Sequence, residues 1–154
     1  MASRHVVCFG NELHGDDGFG AALHAALVRG RLPPDTRLFR SDAGSPGAID
    51  CFDGCDEVVV VDVLSGYGPP GSVHTLASDA IAPEATAAHG AGVGRLLETV
   101  RCILRPQPRI RVVGVEAGRV DAFRPGLSPA VAASLPVALQ AVMDCLRWNR
   151  RERP

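Results

Sequence analysis

The chain has 154 residues, 46% hydrophobic and 21% charged, with a formal net charge of −1. That size and balance suit one domain around one core and exclude a disordered chain. With no basic cluster there is no nucleic-acid face, and because all 16 basic residues are arginine, phosphate-loop, Schiff-base and kinase-type lysine chemistries are excluded.

His5 to Phe9 is a short apolar run stopped by Gly10-Asn11 and reads as a buried strand. Phe19, Leu23 and Leu27 then recur at helical spacing, predicting an amphipathic helix that ends near Gly30, before Pro33-Pro34. Thr36 to Arg40 suits a second strand, and Gly44 to Gly47 is a turn leading to a short helix over Ala48 to Cys55. Glu57 to Asp62 is the strongest strand signal. Its four consecutive valines are apolar on both faces, as in the centre of a parallel sheet, and Asp62 is expected to end it.

Ser72 to Leu76 reads as a more polar edge strand. A loop rich in Ala and Gly runs from Ser78 to Gly94, followed by a helix carrying Leu96, Leu97, Val100 and Leu104. Arg109 to Val115 is a further apolar strand. Ser128-Pro129 caps a last helix with a stripe from Val131 to Leu146, and Pro136 inside it predicts a kink or a break. Residues 149–154 read as a flexible tail, and the whole of 1–154 as a single domain. The expected fold is α/β: a mostly parallel twisted sheet of about five strands with helices on both faces.

The five cysteines include no CxxC pair and read as reduced thiols acting as small hydrophobes. The apolar run near the N-terminus is too short for a signal peptide, and no run approaches membrane-spanning length. The expected location is the cytoplasm, with no membrane and no nucleic acid among its partners.

Open parallel sheets bind ligands beyond the carboxyl ends of their strands. Asp16 and Asp17 follow the first strand, Asp62 ends the valine strand, and His89 lies in the long loop after the edge strand. Taken singly, each has an ordinary structural explanation: a helix cap, a turn acceptor, a solvated imidazole. Together, two carboxylates and an imidazole in one crevice make a site for a divalent transition metal, with positions left open for substrate or water.

The loop Gly10-Asn11-x-Leu13-x-x-Asp16-Asp17-Gly18-x-Gly20 resembles the opening signature of the nickel–iron hydrogenase maturation peptidases. The likeness continues through Asp42-Ala43-Gly44-Ser45-Pro46-Gly47, where the family tends to have Asp-Gly-Gly-Thr-x-Gly. It runs on through Val60-Val61-Asp62, His89 with Gly90 and Gly92, Val113 to Glu116, and Gly126-Leu127-Ser128-Pro129. The resemblance implies an endopeptidase that removes the C-terminal extension of a hydrogenase large-subunit precursor already loaded with nickel. It assigns the metal contacts to Asp17, Asp62 and His89, with nickel supplied by the substrate protein. Asp16 and Asp42 follow as candidates for orienting the substrate or shaping the loop. Some family members have glutamate where Asp17 stands, and the departures at Ala43, Ser45 and Ala88 bear on substrate choice. The residues leave two other classes open: a self-contained metal-dependent hydrolase of small peptides or amides, and a nickel-dependent binding partner that does not cut.

Overall fold

A computed structural model of the chain describes residues 3–82 and 92–151. His89 and much of the Ser78 to Gly94 loop therefore lie outside the described residues, as does the end of the tail.

Five strands form one sheet: β1 (Arg4–Phe9), β2 (Thr36–Ser41), β3 (Glu57–Leu64), β4 (Val73–Ala77) and β5 (Arg109–Glu116), in the order β2-β1-β3-β5-β4. The first four in that order are parallel, and β4 pairs antiparallel with β5 at one edge. Helices α1 (Phe19–Arg29), α2 (Val93–Ile103) and α3 (Pro129–Arg151) complete the domain. The expected α/β fold is thus the observed one.

Strand alternation sends the apolar residues to two cores, one on each face of the sheet. Val59, Val61, Val113 and Val115 face α1 and α3 and are buried with Phe19, Leu23, Leu27 and Val142. Val58, Val60, Val112 and Phe9 face the other way, against Phe52 and the Val93, Leu97 and Val100 stripe of α2. Seven of the eight β3 residues are buried, which is why that strand reads as continuous valine rather than as an alternating pattern. At the amino edge of the sheet, buried Arg4 bridges Asp35 at 2.9 Å and Glu57 at 3.2 Å, so the charges there are mutually satisfied.

The structure corrects four expectations. Strand β3 runs through Asp62 to Leu64, because Val63 and Leu64 continue the apolar pattern and pair with Val115 and Glu116. The segment read as a helix over Ala48 to Cys55 is a 3-10 turn over Pro46–Phe52. Helix α3 is unbroken across Pro136 and continues to Arg151, taking in the first residues of the stretch read as a tail. Finally, Pro129–Arg147 is long and apolar enough, at mean hydropathy 1.5, to cross a membrane by length and composition. Its buried residues Val131, Ala138, Val142 and Leu146 pack in the core beside α1 and β5, the ordinary position of a sheet-covering helix.

Candidate functional site

The chain passes from β1 outward to β2 and then back across to β3, so the strand order reverses between β1 and β3. In open α/β sheets such a reversal leaves a crevice between loops that diverge in opposite directions. Here a step in the sheet deepens it. The β1–β3 ladder ends at Cys8 opposite Val61, whereas the β3–β5 ladder continues to Leu64 opposite Glu116. Asp62 is therefore the first β3 residue beyond the end of that ladder. It remains paired with Gly114 on its other side.

Asp62 is 5% exposed, and its Oδ1 accepts the backbone amide of Val63 at 2.8 Å. Burial holds its carboxyl well above the usual carboxylate range; repulsion from Asp17 and, less strongly, from Asp42 pushes the same way, against the Val63 hydrogen bond. The acids that act on it come from successive strand ends. Asp17 comes from the turn after β1, Asp42 from the turn after β2, and Asp62 from β3 itself.

Local structure explains how the two loop acids are presented. Gly10, at φ 127°, brings the chain back under the Asp17 carbonyl, where a side chain would collide with backbone. Asp17 Oδ2 then accepts the Asn11 amide at 2.9 Å. Gly20 lies directly against the Phe9 carbonyl, leaving no room for a β-carbon. Those two close approaches give the first and last glycines of the opening motif their physical reason. Asp42 closes its own turn by accepting the Gly44 amide at 3.1 Å.

Asp16 proves to be a different kind of residue from its neighbour. It is fully buried, and its carboxylate accepts the amides of Gly118 (2.8 Å), Arg119 (2.6 Å) and Ser128 (2.6 Å), together with the Ser128 hydroxyl (2.8 Å). It fastens the loop between β5 and α3 to the loop bearing Asp17, which agrees with a loop-shaping role and leaves it no face toward substrate. The Ser128 hydroxyl, expected to cap α3, is directed at Asp16 instead. Glu116 works similarly on the β3–β4 loop, accepting the amides of Gly66 at 2.7 Å and Tyr67 at 3.0 Å. Sequence reasoning passed over both Ser128 and Glu116 as site supports, because their partners are distant in the chain.

Among the described residues, no group of three His, Cys, Asp or Glu side chains is gathered closely enough to hold a metal ion. The described acids thus form no closed coordination shell, and the imidazole expected to complete them, His89, lies outside the described residues. Gly92 precedes α2, whose first residue Val93 packs on the sheet face shared by Val60 and Leu64. By strand alternation that is also the face of Asp62. Cys8, a conceivable nucleophile beneath the site, is buried and its thiol pushed up to about 12 by desolvation, so it stays protonated and inert.

A model of the family described as hydrogenase maturation protease matches residues 29–145, a span that contains Asp42 and Asp62 and begins after Asp17. A Methanocaldococcus jannaschii protein, provisionally named a hydrogenase maturation protease, is 26% identical over 144 residues, 90% of this chain and 92% of its own. Among solved structures, the hydrogenase maturating endopeptidase HybD from E. coli superposes with a TM-score of 0.80 at 22% identity, covering 96% of this chain and 93% of that one. The NiFe hydrogenase maturation protease HycI from Thermococcus kodakarensis KOD1 gives 0.72 at 19%, covering 95% and 93%. At those identities the two structures speak to the fold.

Proposed function

This chain belongs to the hydrogenase maturation protease family and is a peptidase, and from that premise we propose that it removes the C-terminal extension of a nickel-loaded hydrogenase large-subunit precursor in the cytoplasm, recognising the metal through Asp17, Asp62 and His89. The observation that supports this reading is the position of Asp17 and buried Asp62 after β1 and on β3, at the carboxyl side of the sheet where the strand order reverses.

The physical logic is one of charge. A buried carboxyl beside two other carboxyl groups is reluctant to ionise. A divalent cation brought up by the substrate reverses that balance, because its positive charge stabilises the carboxylates that repel one another without it. A metal-free precursor offers no such compensation and is rejected. Anchoring the metal fixes the adjoining chain, so that water adds across one amide: hydroxyl to the carbonyl carbon, proton to the departing amine. Positioning of this kind supplies part of the rate enhancement.

The test is incubation of the protein with one large-subunit precursor, prepared with and without nickel, followed by mass spectrometry. Loss of a C-terminal fragment from the nickel-loaded form alone is the expected result. Equal cutting of both forms, or of an unrelated free peptide, points instead to a self-contained hydrolase. A stable complex of unchanged mass points to a non-catalytic partner.

A further inference from the structure

Phe123 is 80% exposed and carries a positive φ of 58°, the only non-glycine residue to do so among those described. A bulky side chain in the left-handed region is costly, and an aromatic ring left in water gains nothing to offset it. The surroundings nevertheless hold it there. Its amide donates to His14 Nδ1 at 3.2 Å, and the two rings meet edge-on with centroids 5.4 Å apart. His14 forms a parallel bridge with Arg124, and the Gly15 amide donates to the Arg124 carbonyl at 2.8 Å. Beside His14, Leu13 is 51% exposed. Leu13 and Phe123 are thus exposed beside half-buried His14, a ridge whose two loops are fastened together by the hydrogen bonds of Asp16.

The ridge is continuous with the reaction centre. The Asp17 amide donates to the His14 carbonyl at 3.2 Å, so one turn of chain separates the apolar crest from the acid assigned to the metal. Two exposed arginines flank it: Arg124, and Arg119, which is paired with Asp121 at 3.3 Å. Exposed aromatic and leucine side chains ringed by polar groups are the usual anatomy of a protein-binding hot spot.

We propose that the Leu13–His14–Phe123 ridge is a specificity element that docks an apolar patch with an acidic rim on the folded precursor, beside the segment to be cut. The inference rests on the reading of the chain as a precursor peptidase. Phe123 fills a pocket in the partner, Leu13 widens the contact, and Arg124 answers the acidic rim and fixes orientation.

The experiment compares steady-state cleavage of nickel-loaded precursor by the unaltered protein and by Phe123→Ala, Leu13→Ala and, as a control, Val28→Ala, whose side chain is 63% exposed on α1. Precursor binding is measured in parallel by stopped-flow titration of each protein, read before cutting begins. Phe123→Ala should raise KM and the dissociation constant about tenfold or more while kcat at saturation stays within about twofold, Leu13→Ala less so, and Val28→Ala not at all. Unchanged KM and binding in Phe123→Ala overturn the proposal, as does the finding that the substitution only dissolves a self-association of this chain. If the unaltered protein binds the precursor without cutting it, the peptidase reading of this substrate falls, while weaker binding by Phe123→Ala still supports the ridge. If it neither binds nor cuts, both readings fall.

Discussion

The carboxylate of Asp16 receives both the backbone amide and the hydroxyl of Ser128, at 2.6 and 2.8 Å, across 112 residues of chain. With the Gly118 and Arg119 amides it accepts four hydrogen bonds in a buried position, so its negative charge is dispersed over donors rather than met by a cation. Asp17, its immediate neighbour, is held by the Asn11 amide at the crevice edge. Two adjacent acids in one motif thus divide the work: one builds the loop and the other is presented by it.

That division predicts different mutant behaviour. Asp16→Ala leaves buried amides without an acceptor and should cost about 3 kcal/mol or more of folding stability. Ser128→Ala removes one donor and should cost about 1 kcal/mol. The two changes share partners, so the double variant should lose less than the sum, which urea unfolding of all four proteins will measure. Strict additivity would contradict the shared bonds.

Asp62→Asn should abolish processing yet stabilise the protein at neutral pH, by about 1–2 kcal/mol, since asparagine retains the acceptor for the Val63 amide without a buried charge. The sign follows from linkage. The folded-state pKa of Asp62 is raised above its ordinary value of 3.8, chiefly by burial. Its contribution to stability is therefore fully present below the unfolded pKa and is lost as pH rises through the folded one. Thermal melts from acid to neutral pH should show the variant's advantage opening with pH. An advantage independent of pH would show that the Asp62 charge is not its source.

Replacing either neighbour should relax Asp62. Asp17→Asn and Asp42→Asn should each lower its pKa, Asp17→Asn by more, while burial keeps it above 3.8 in both. Carboxyl-carbon NMR titration of Asp62 reads this directly. No shift in either variant would mean that the acids do not share a field.

Phe123→Gly should relieve the positive φ of 58°. The gain of about 1–2 kcal/mol from the left-handed backbone is reduced by about 0.5–1 kcal/mol for glycine's freer unfolded chain and by the lost ring contact with His14, so a rise in stability of up to about 1 kcal/mol is expected. Chemical denaturation measures it. A clear loss would show that the His14 contact outweighs the strain.

Much of the sheet was legible because its signals are local. The valine run announced a strand buried on both faces, and the leucine spacing announced α1 and α2. Legibility failed where long-range contacts decide. Nothing near Ser128 tells that its hydroxyl serves Asp16 rather than the helix it precedes, and nothing near Asp62 tells that β3 continues past it while the β1 ladder stops. Pro136 was read as a breaker, yet α3 continues through it, with Val131 and Ala138 buried on either side. At the site, the position of Asp17 after β1 and of Asp62 in the valine strand was legible, whereas the strand order that makes β1 and β3 neighbours was not. The field from Asp42 onto Asp62 depends on how β2 lies beside β1, a tertiary fact. Phe123 left no trace in the sequence, since an exposed aromatic and its backbone angle are both invisible there.

The Asp16 clamp has a consequence for synthesis. Asp17, Asp42 and Asp62 all leave the ribosome before the donors that fix the motif loop, which come from Gly118, Arg119 and Ser128. A half-made chain carries every acid of the cluster without the bonds that aim them. The shape of the motif loop therefore waits on partners 102 to 112 residues further along, so the two loops order together and not one after the other.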